Sequence, residues 1–173
     1  MKTIRTKVYQ FSELSNDAKD VAVNRFYDIN VNCDWWQYTY EDAANIGLKI
    51  TAFDLDRANY CKGEFLLTAN EVAANILKEH GESCETYNTA ASFMEAWQPV
   101  FNEYLNPESK EYESLDSENK LNELEEDFLK SLCEDYKIIL SKEYEHLTSE
   151  AAIIETIEAN EYEFTKDGKK FNN

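Results

Sequence analysis

Apolar side chains recur every three or four residues over most of the chain, which is the spacing of one face of a helix. The clearest example runs from Leu121 to Leu140, where large apolar residues recur at that spacing and charged residues lie between them. Similar patterns elsewhere indicate about five more helices. The predicted helices cover residues 15–29, 34–46, 69–80, 89–105, 121–140 and 148–158.

The best-marked helix start is a capping box formed by Thr68 and Glu71. Leu67 and Val72 occupy the positions of a hydrophobic staple around it. The helix that follows should run to His80, because the next residue is a glycine, which commonly ends helices.

Other helix ends are marked by single residues. Ser15 is placed to cap the first helix, and Thr148 is placed to begin the last one. Gly47 should stop the second helix. Pro99 lies inside a helical pattern, so that helix is expected to kink or to split in two.

Four segments alternate between apolar and polar residues, as half-exposed strands do. They are residues 1–9, 48–56, 60–66 and 162–171. The two middle segments predict a hairpin, and an Asp-Gly turn predicts another within the last segment. Phe53 and Leu55 break the alternation in the first hairpin strand, which indicates a bulge or burial on both faces.

These elements predict a helix-dominated α+β fold, in which one small antiparallel sheet packs with about six helices. The N-terminal strand, the central hairpin and the C-terminal hairpin form this sheet. A length of 173 residues with 43% hydrophobic residues suits a single domain. Within it we expect a mixed α/β part at residues 1–102, an acidic helical part at 103–163 and a C-terminal hairpin or tail at 164–173.

Negative charge is concentrated in the back of the chain. The whole chain has a formal net charge of −18, and residues 103–163 contain 19 acidic and 5 basic side chains. Such a surface repels phosphates, which argues against direct nucleic-acid binding. No apolar run reaches the ~20 residues of a membrane span, and the N terminus lacks the apolar segment of a signal peptide. We therefore expect a soluble, cytoplasmic protein.

The cysteines indicate a reducing compartment. Cys33, Cys61, Cys84 and Cys133 are irregularly spaced and contain no C-x-x-C pair, so we interpret them as buried free thiols. His80 and Cys84 could form a zinc site with Cys33 and Cys61. Because zinc sites usually combine two closely spaced pairs of ligands, and only one is present, free thiols are favoured.

Three carboxylates of the predicted hairpin are candidate metal ligands. Asp54 and Asp56 lie two apart on one strand and therefore point to the same side, and Glu64 lies on the partner strand. Their hard oxygen ligands could hold Mg²⁺ or Ca²⁺ for a metal-dependent hydrolase. Strand-end aspartates more often form turns or remain as exposed charges, so no metal site is the favoured interpretation.

The sequence contains no catalytic motif. His80 and His146 are the two histidines, and neither lies beside a nucleophile motif. There is no Walker-type loop, no G-x-G-x-x-G, no G-x-S-x-G and no H-E-x-x-H. We therefore expect a protein that is not an enzyme and has no cofactor.

Aromatic and cationic residues near the hairpin could form a ligand pocket. Trp35 and Trp36 are adjacent, and adjacent helical residues cannot share a face, so one ring could cover a pocket. Trp36 and Tyr60 could stack on a base while Arg57 and Lys62 bind phosphate. This would sequester a nucleotide-derived immune signal; core packing of both tryptophans and solvated charges is the alternative.

The acidic helical part predicts a protein-binding surface. Carboxylates on a rigid surface can imitate a phosphate backbone and occupy the basic channel of a nucleic-acid-binding protein. A solvated face that keeps the protein soluble is the alternative. The candidates are Glu111, Glu113, Asp116, Glu118, Glu123, Glu125, Glu126, Asp127, Glu134 and Asp135, of which the last six form the predicted partner-binding surface.

Short phrases spread over most of the chain carry a family resemblance. They are Phe11–Lys19, Trp35-Trp36 with Glu41–Ala43, Phe53–Arg57, Cys61–Phe65, His80–Glu85, Leu147–Ala152 and Glu161–Gly168. With these phrases the sequence resembles a widespread family of small phage and prophage proteins, often labelled "antitoxin of a toxin–antitoxin stability system". The resemblance implies a cytoplasmic accessory protein made during infection. Small acidic phage proteins of this kind are often counter-defence factors that bind and block a host component.

We therefore expect a non-enzymatic, phage-encoded binding protein that acts as a counter-defence inhibitor. Its acidic surface would block a host defence protein or a toxin, and the chain could form a homo-oligomer. Sequestration of a nucleotide immune signal is the first alternative, and a metal-dependent hydrolase is the second.

Overall fold

The computed structural model describes residues 7–106 and 111–171. In these residues the chain forms six α-helices and four short β-strands, which confirms the helix-dominated α+β class. The helices are α1 (Asn16–Arg25), α2 (Gln37–Ile46), α3 (Ala69–Glu79), α4 (Glu85–Tyr104), α5 (Glu111–Leu147) and α6 (Glu150–Ala159). The strands are β1 (Tyr9–Gln10), β2 (Leu48–Asp54), β3 (Tyr60–Phe65) and β4 (Glu163–Phe164).

The described strands form two antiparallel sheets of two strands each, whereas the alternating pattern predicts one sheet. β2 pairs with β3 as the predicted hairpin, and β1 pairs with β4. α1 and α6 pack together, which brings the strand before α1 beside the strand after α6. The terminal strands therefore pair with each other. Most of the predicted strand at residues 1–9 lies outside the described residues.

The chain divides into two compact units. One contains the residues up to Trp35 and those from Lys142 onward, and the other contains Trp36–Ser141. The boundaries predicted at residues 102 and 163 follow changes in charge, and a single domain stays a prediction. Within the described residues, no helix combines the length and the apolar character that crossing a bilayer requires.

The unit that contains both termini has a small aromatic core. Phe164 of β4 is fully buried and meets Phe11 edge to face, with ring centroids 6.1 Å apart. The predicted Asp-Gly turn is present, and Gly168 has φ +77° and donates its N–H to Thr165 O at 3.0 Å. The other buried residues of this core are Leu14, Ala18, Ala22, Ile153 and Ile157.

The helix caps of this unit are partly as predicted. Ser15 caps α1 by accepting the N–H of Ala18 at 3.4 Å. Ser149 caps α6, so the prediction of Thr148 as its start is wrong by one position. The reason is that the Thr148 hydroxyl donates to Tyr144 O at 2.7 Å and thereby satisfies the preceding helix.

The second unit packs α2, α3, α4 and the hairpin against the first part of α5. Its core includes the large, fully buried side chains of Leu48, Ile76, Leu132 and Tyr136. Five of the apolar positions that predict α5 are buried, namely Leu121, Phe128, Leu132, Tyr136 and Leu140. The helical spacing thus identifies most of the inward face of α5, although Ile139, which belongs to the same pattern, is exposed.

Two predicted helix ends of this unit are confirmed. Glu71 accepts the backbone N–H of Thr68 at 3.0 Å in the predicted capping box, and α3 follows. The Thr68 hydroxyl also donates to Glu71, at 2.6 Å, and this bond, followed by the backbone one, lowers the pKa of Glu71. Gly47 ends α2 with φ +92°, a conformation that glycine adopts without strain.

Four helices differ in extent from their predictions. α1 ends at Arg25, four residues before its predicted end. α2 begins at Gln37, because the preceding residues form turns in which Trp35 donates its N–H to Cys33 O. α4 begins at Glu85 and continues through Pro99 to Tyr104, so the proline does not split it. α5 begins ten residues earlier, at Glu111.

Candidate functional site

An open groove lies between α4 and α5 in the second unit. Phe93 and Phe128 form its apolar floor; both are buried, and their rings stack with centroids 4.2 Å apart and planes 9° apart. The groove encloses about 390 Å³, and Leu124, Ser131 and Asp127 are among its lining residues. It therefore combines an aromatic floor with a carboxylate at its edge.

The predicted partner-binding surface lies along α5, but the structure gives its carboxylates different roles. Glu123 and Glu126 are exposed and, among the described residues, have no ion-pair or hydrogen-bond partner. Asp127 pairs with Lys130 at 3.1 Å. The two carboxylates of Glu123 and Glu126 are therefore the ones most available to another molecule.

Lysines one turn away neutralise other acidic candidates. Glu134 lies 2.5 Å from Lys137, and Asp116 lies 2.6 Å from Lys120. Such spacings of three or four residues place opposite charges on one face of a helix. This signal is present in the sequence, and it reduces the negative charge of the outward face of α5. Glu118 is exposed, and the side chains of Glu111 and Glu113 are outside the described part of the structure.

The remaining two candidates form hydrogen bonds with α4. The indole Nε1 of Trp97 donates to Glu125 at 3.2 Å, and the hydroxyl of Thr89 donates to Asp135 at 2.7 Å. Burial raises the pKa of Asp135, although the Thr89 hydrogen bond acts in the opposite direction. The charges of Glu85 and Glu134 also raise it.

The hairpin separates the predicted nucleotide-binding residues. Cys61 and Phe65 of β3 pack against the core, so the alternating residues Tyr60 and Lys62 point to the opposite face. Lys62 Nζ lies 5.0 Å from the Tyr60 ring centroid. These two residues therefore form a local cation–π pair on the outer face of the hairpin.

Trp36 lies near the inner face instead. Its ring meets Phe53 at 5.7 Å, and Phe53 pairs in register with Cys61, which packs against the core. Arg57 lies in the connection between the strands, with its side chain 91% exposed. The structure thus does not bring Trp36, Arg57, Tyr60 and Lys62 into one pocket.

The three hairpin carboxylates are also apart. Asp54 accepts the backbone N–H of Asp56 at 2.9 Å, which is the turn-forming role of a strand-end aspartate. Glu64 pairs with Lys49 at 2.6 Å. In the part of the chain that the structure describes, no group of three His, Cys, Asp or Glu side chains could hold a metal ion.

A partly buried polar network near His80 is not predicted by any sequence motif. Its Nδ1 lies 2.7 Å from the Thr86 hydroxyl, and its Nε2 lies 3.7 Å from Asp42 Oδ1. Tyr136 donates to the other oxygen of Asp42 at 2.8 Å. A polar cavity of about 540 Å³ lies beside Asp42 and His80. Thr86 is only 2% exposed, so its hydroxyl cannot reach a substrate as a nucleophile.

The cysteines are free, but they are not uniformly buried. Cys133 is buried and Cys61 is half-buried, whereas Cys33 and Cys84 are exposed. The prediction of buried thiols is therefore wrong for the last two, which lie in a surface turn and just before α4. The hydrogen bond to Cys133, together with burial, raises the pKa of the Cys61 thiol.

In comparisons with known proteins, no family model matches this chain, and no curated protein or solved structure shows significant similarity to it.

Proposed function

We propose that the protein is a non-enzymatic, phage-type binding protein that blocks a basic host protein through α5. One observation carries this proposal: Glu123 and Glu126 expose their carboxylates, without a partner among the described residues, on the helix that forms one side of an apolar groove. We use the name α5 surface for Glu123, Glu126, Asp127 and this groove.

The composition of the α5 surface is typical of protein interfaces. Such interfaces combine an apolar centre with a polar rim. Ala96 and Leu124 supply accessible apolar area in the groove, while exposed carboxylates steer a basic partner by long-range attraction. The net charge of −18 acts in the same direction for the whole chain. Binding would thus depend on the groove for its affinity and on the carboxylates for its rate and specificity.

The proposed biological setting rests on the phage-family resemblance. It places the protein in the cytoplasm of an infected host cell, with a host defence protein or a toxin as the target. Defence nucleases and many toxins bind nucleic acid through basic surfaces, and these are the surfaces that an acidic protein can occupy. A homo-oligomer is compatible with this proposal, since repeated acidic surfaces would add avidity.

The two alternatives have less structural support. For nucleotide sequestration, the hairpin places Tyr60 and Lys62 on the face opposite Trp36. For a metal-dependent hydrolase, Asp54 is engaged by its own turn and Glu64 by Lys49. No specific observation favours either activity over partner binding.

The test is capture of a partner by the tagged protein in host cells, followed by native mass spectrometry at low salt. The variant Glu123→Lys/Glu126→Lys reverses the two available carboxylates. Its matched control, Glu143→Lys/Glu145→Lys, makes the same change in net charge at exposed positions further along α5. We expect the wild type and the control to retain the partner, and the first variant to lose it.

Salt provides the second arm of this test. Attraction between exposed charges is screened within ~10 Å at moderate ionic strength, so the complex should dissociate as salt is raised. Equal loss of the partner in both reversal variants would show that net charge alone matters. That result, or a partner retained unchanged at high salt, would contradict the proposal.

A further inference from the structure

Two free thiols of the second unit lie against each other where the hairpin packs on α5. Cys61 belongs to β3 and Cys133 to α5, and the two thiols are hydrogen-bonded to each other. Cys133 is buried, and Cys61 is half-buried. The fold thus brings together the sulfur atoms of two residues that are far apart in the sequence, and we call them the thiol pair.

A glycine of β3 allows Cys133 to come this close to the hairpin. Residues two apart on a strand face the same side, so Gly63 shares the side of Cys61. The position that a Cβ atom of Gly63 would occupy lies only 3.3 Å from Cys133 Sγ. The backbone N–H of Gly63 also donates a hydrogen bond to this sulfur. The placement of Cys133 over β3 therefore follows from backbone geometry as well as from its contact with Cys61.

The surroundings of the pair favour a thiolate at Cys133. The hydrogen bond from Cys61 lowers the pKa of the Cys133 thiol; burial raises it, and the Gly63 hydrogen bond lowers it further, so that the net direction is downward. The thiolate is the form of cysteine that reacts as a nucleophile. Glu134 and Lys137, which pair with each other, lie close to Cys61 and act on its pKa in opposite directions.

We propose that Cys61 and Cys133 are a peroxide-reactive thiol pair, which hydrogen peroxide converts into a disulfide between β3 and α5. The proposal is independent of the function proposed above. Neighbouring thiols can close such a bond with little movement of the backbone, whereas distant ones cannot. In a reducing compartment the bond would persist only while peroxide is present, as in redox-sensing proteins. It would fasten the hairpin to the helix that carries the α5 surface.

The reaction has two steps. The Cys133 thiolate attacks one oxygen of hydrogen peroxide, the O–O bond breaks, and Cys133 becomes a sulfenic acid while the other oxygen leaves as water with the proton that the Cys133 thiol released. The Cys61 sulfur then attacks the Cys133 sulfur, the S–O bond breaks, and a second water leaves with the Cys61 proton. Two thiols and one peroxide thus give one disulfide and two waters, and the peroxide accepts both electrons. Hydrogen peroxide is small enough to enter beside the half-buried Cys61, where an aromatic reagent is not.

The test uses the full chain with Cys33→Ser/Cys84→Ser, which removes both exposed thiols and leaves the thiol pair. The protein is treated with hydrogen peroxide, denatured and alkylated, and its intact mass is measured. We expect a loss of two hydrogen masses, no alkylation and a linked Cys61–Cys133 peptide after digestion, and dithiothreitol should restore alkylation of both thiols. The linked form should melt about 5 °C or more above the reduced form, because the bond restrains a long loop in the unfolded chain.

Two variants in this background separate the roles of the two thiols. Cys61→Ser removes the thiol that closes the bond, so peroxide should leave a sulfenic acid at Cys133, which dimedone traps. Cys133→Ser removes the nucleophile, and the dimedone adduct should be lower by about tenfold or more, since burial raises the pKa of the remaining Cys61 thiol. Thermal unfolding checks that both variants fold. The wild type, in which the linked peptide should join the same two cysteines, keeps the test decisive if one does not.

Three results would overturn the proposal. The first is oxygen added to the thiols without any linked peptide. The second is a wild-type protein in which Cys61 or Cys133 is linked to Cys33 or Cys84 instead. The third is a linked form that melts below the reduced one, because the bond would then form only by distorting the fold.

Discussion

Tyr136 of α5 donates a 2.8 Å hydrogen bond to the carboxylate of Asp42 on α2, which lies 94 residues earlier in the chain. Tyr136 is fully buried, and burial, followed by the charge of Asp42, raises the pKa of its hydroxyl. The other oxygen of Asp42 faces His80, which in turn lies against Thr86 at the start of α4. One carboxylate thus connects three other elements of the core.

Tyr136→Phe tests how much the hydrogen bond between Tyr136 and Asp42 stabilises the fold. The substitution keeps the ring and removes only the hydroxyl, so Asp42 loses one hydrogen bond without a cavity being formed. We expect the free energy of unfolding to fall by about 1 kcal/mol, as for a typical intramolecular hydrogen bond. Urea unfolding measures the change. Tyr38→Phe is the control, since that side chain is 85% exposed and should change nothing.

Gly168, in the unit that contains α1 and α6, lies where no side chain fits. A Cβ atom at Gly168 would stand 2.0 Å from the backbone oxygen of Ala18, and the residue has φ +77°. Gly168→Ala therefore combines backbone strain with a clash against α1, and we expect a loss of about 3 kcal/mol or more.

Gly81→Ala is the matched substitution for Gly168→Ala. There the nearest atom to an added Cβ is the Ser83 hydroxyl at 4.0 Å, which is ordinary contact. Its effect on the free energy of unfolding, measured with urea, should stay within about 0.5 kcal/mol, as at most surface positions. If both alanine variants unfold at the wild-type midpoint, the turn at Gly168 is not as tightly packed as described.

Features that depend on neighbouring residues could be predicted from the sequence. The capping box of Thr68 and Glu71 involves positions three apart, so its hydrogen bonds follow from local geometry. The choice between Thr148 and Ser149 could not be made in the same way. Both carry a hydroxyl, and only the fold shows which of them satisfies α5 and which caps α6.

The placement of the predicted hairpin ligands depends on one irregularity. The pairing register shifts between Ile50 and Ala52, as the broken alternation indicates. Before the shift the even-numbered Ile50 faces the core, and after it the odd-numbered Phe53 does. A slip of one residue exchanges the two faces of a strand. Which aromatic residues share a face could therefore not be read from spacing alone.

The groove and the His80 network could not be predicted from the sequence for a different reason. Phe93 and Phe128 each belong to a clear helical pattern, but no local signal says that α4 and α5 pack at these positions. The same holds for Tyr136 and Asp42. By contrast, the ion pairs of Lys130 and Lys137 follow directly from their spacing of three residues and are predictable.

The four thiols should fall into two reactivity classes. Cys33 and Cys84 are exposed, whereas Cys133 is buried and the raised pKa of Cys61 leaves little thiolate, the form that reacts. We expect an aromatic disulfide reagent to modify two thiols rapidly and the other two only after denaturation. Cys33→Ser/Cys84→Ser should lose the rapid phase, and its persistence would contradict the burial of the other pair.

Asp135 should make stability depend on pH in a defined direction. Burial raises its pKa above the ordinary aspartate value of 3.8, so the folded state holds this proton more tightly than the unfolded state. Stability contributed by the protonated form is therefore present below the unfolded pKa and is lost as the pH rises through the higher folded pKa. At neutral pH the ionised carboxylate destabilises the fold, because burial and the charges of Glu85 and Glu134 oppose it.

Asp135→Asn removes this charge and keeps an oxygen that can accept the Thr89 hydroxyl. The variant should melt at a higher temperature than the wild type at neutral pH. The difference should shrink as the pH falls toward the ordinary aspartate value, where the wild-type carboxyl is also uncharged. Melting curves over this pH range measure it, with Glu126→Gln as a control for loss of an exposed charge. A wild type that is more stable at neutral pH would mean that the Thr89 hydrogen bond outweighs burial, and the groove end would then be a favourable site for the ionised carboxylate.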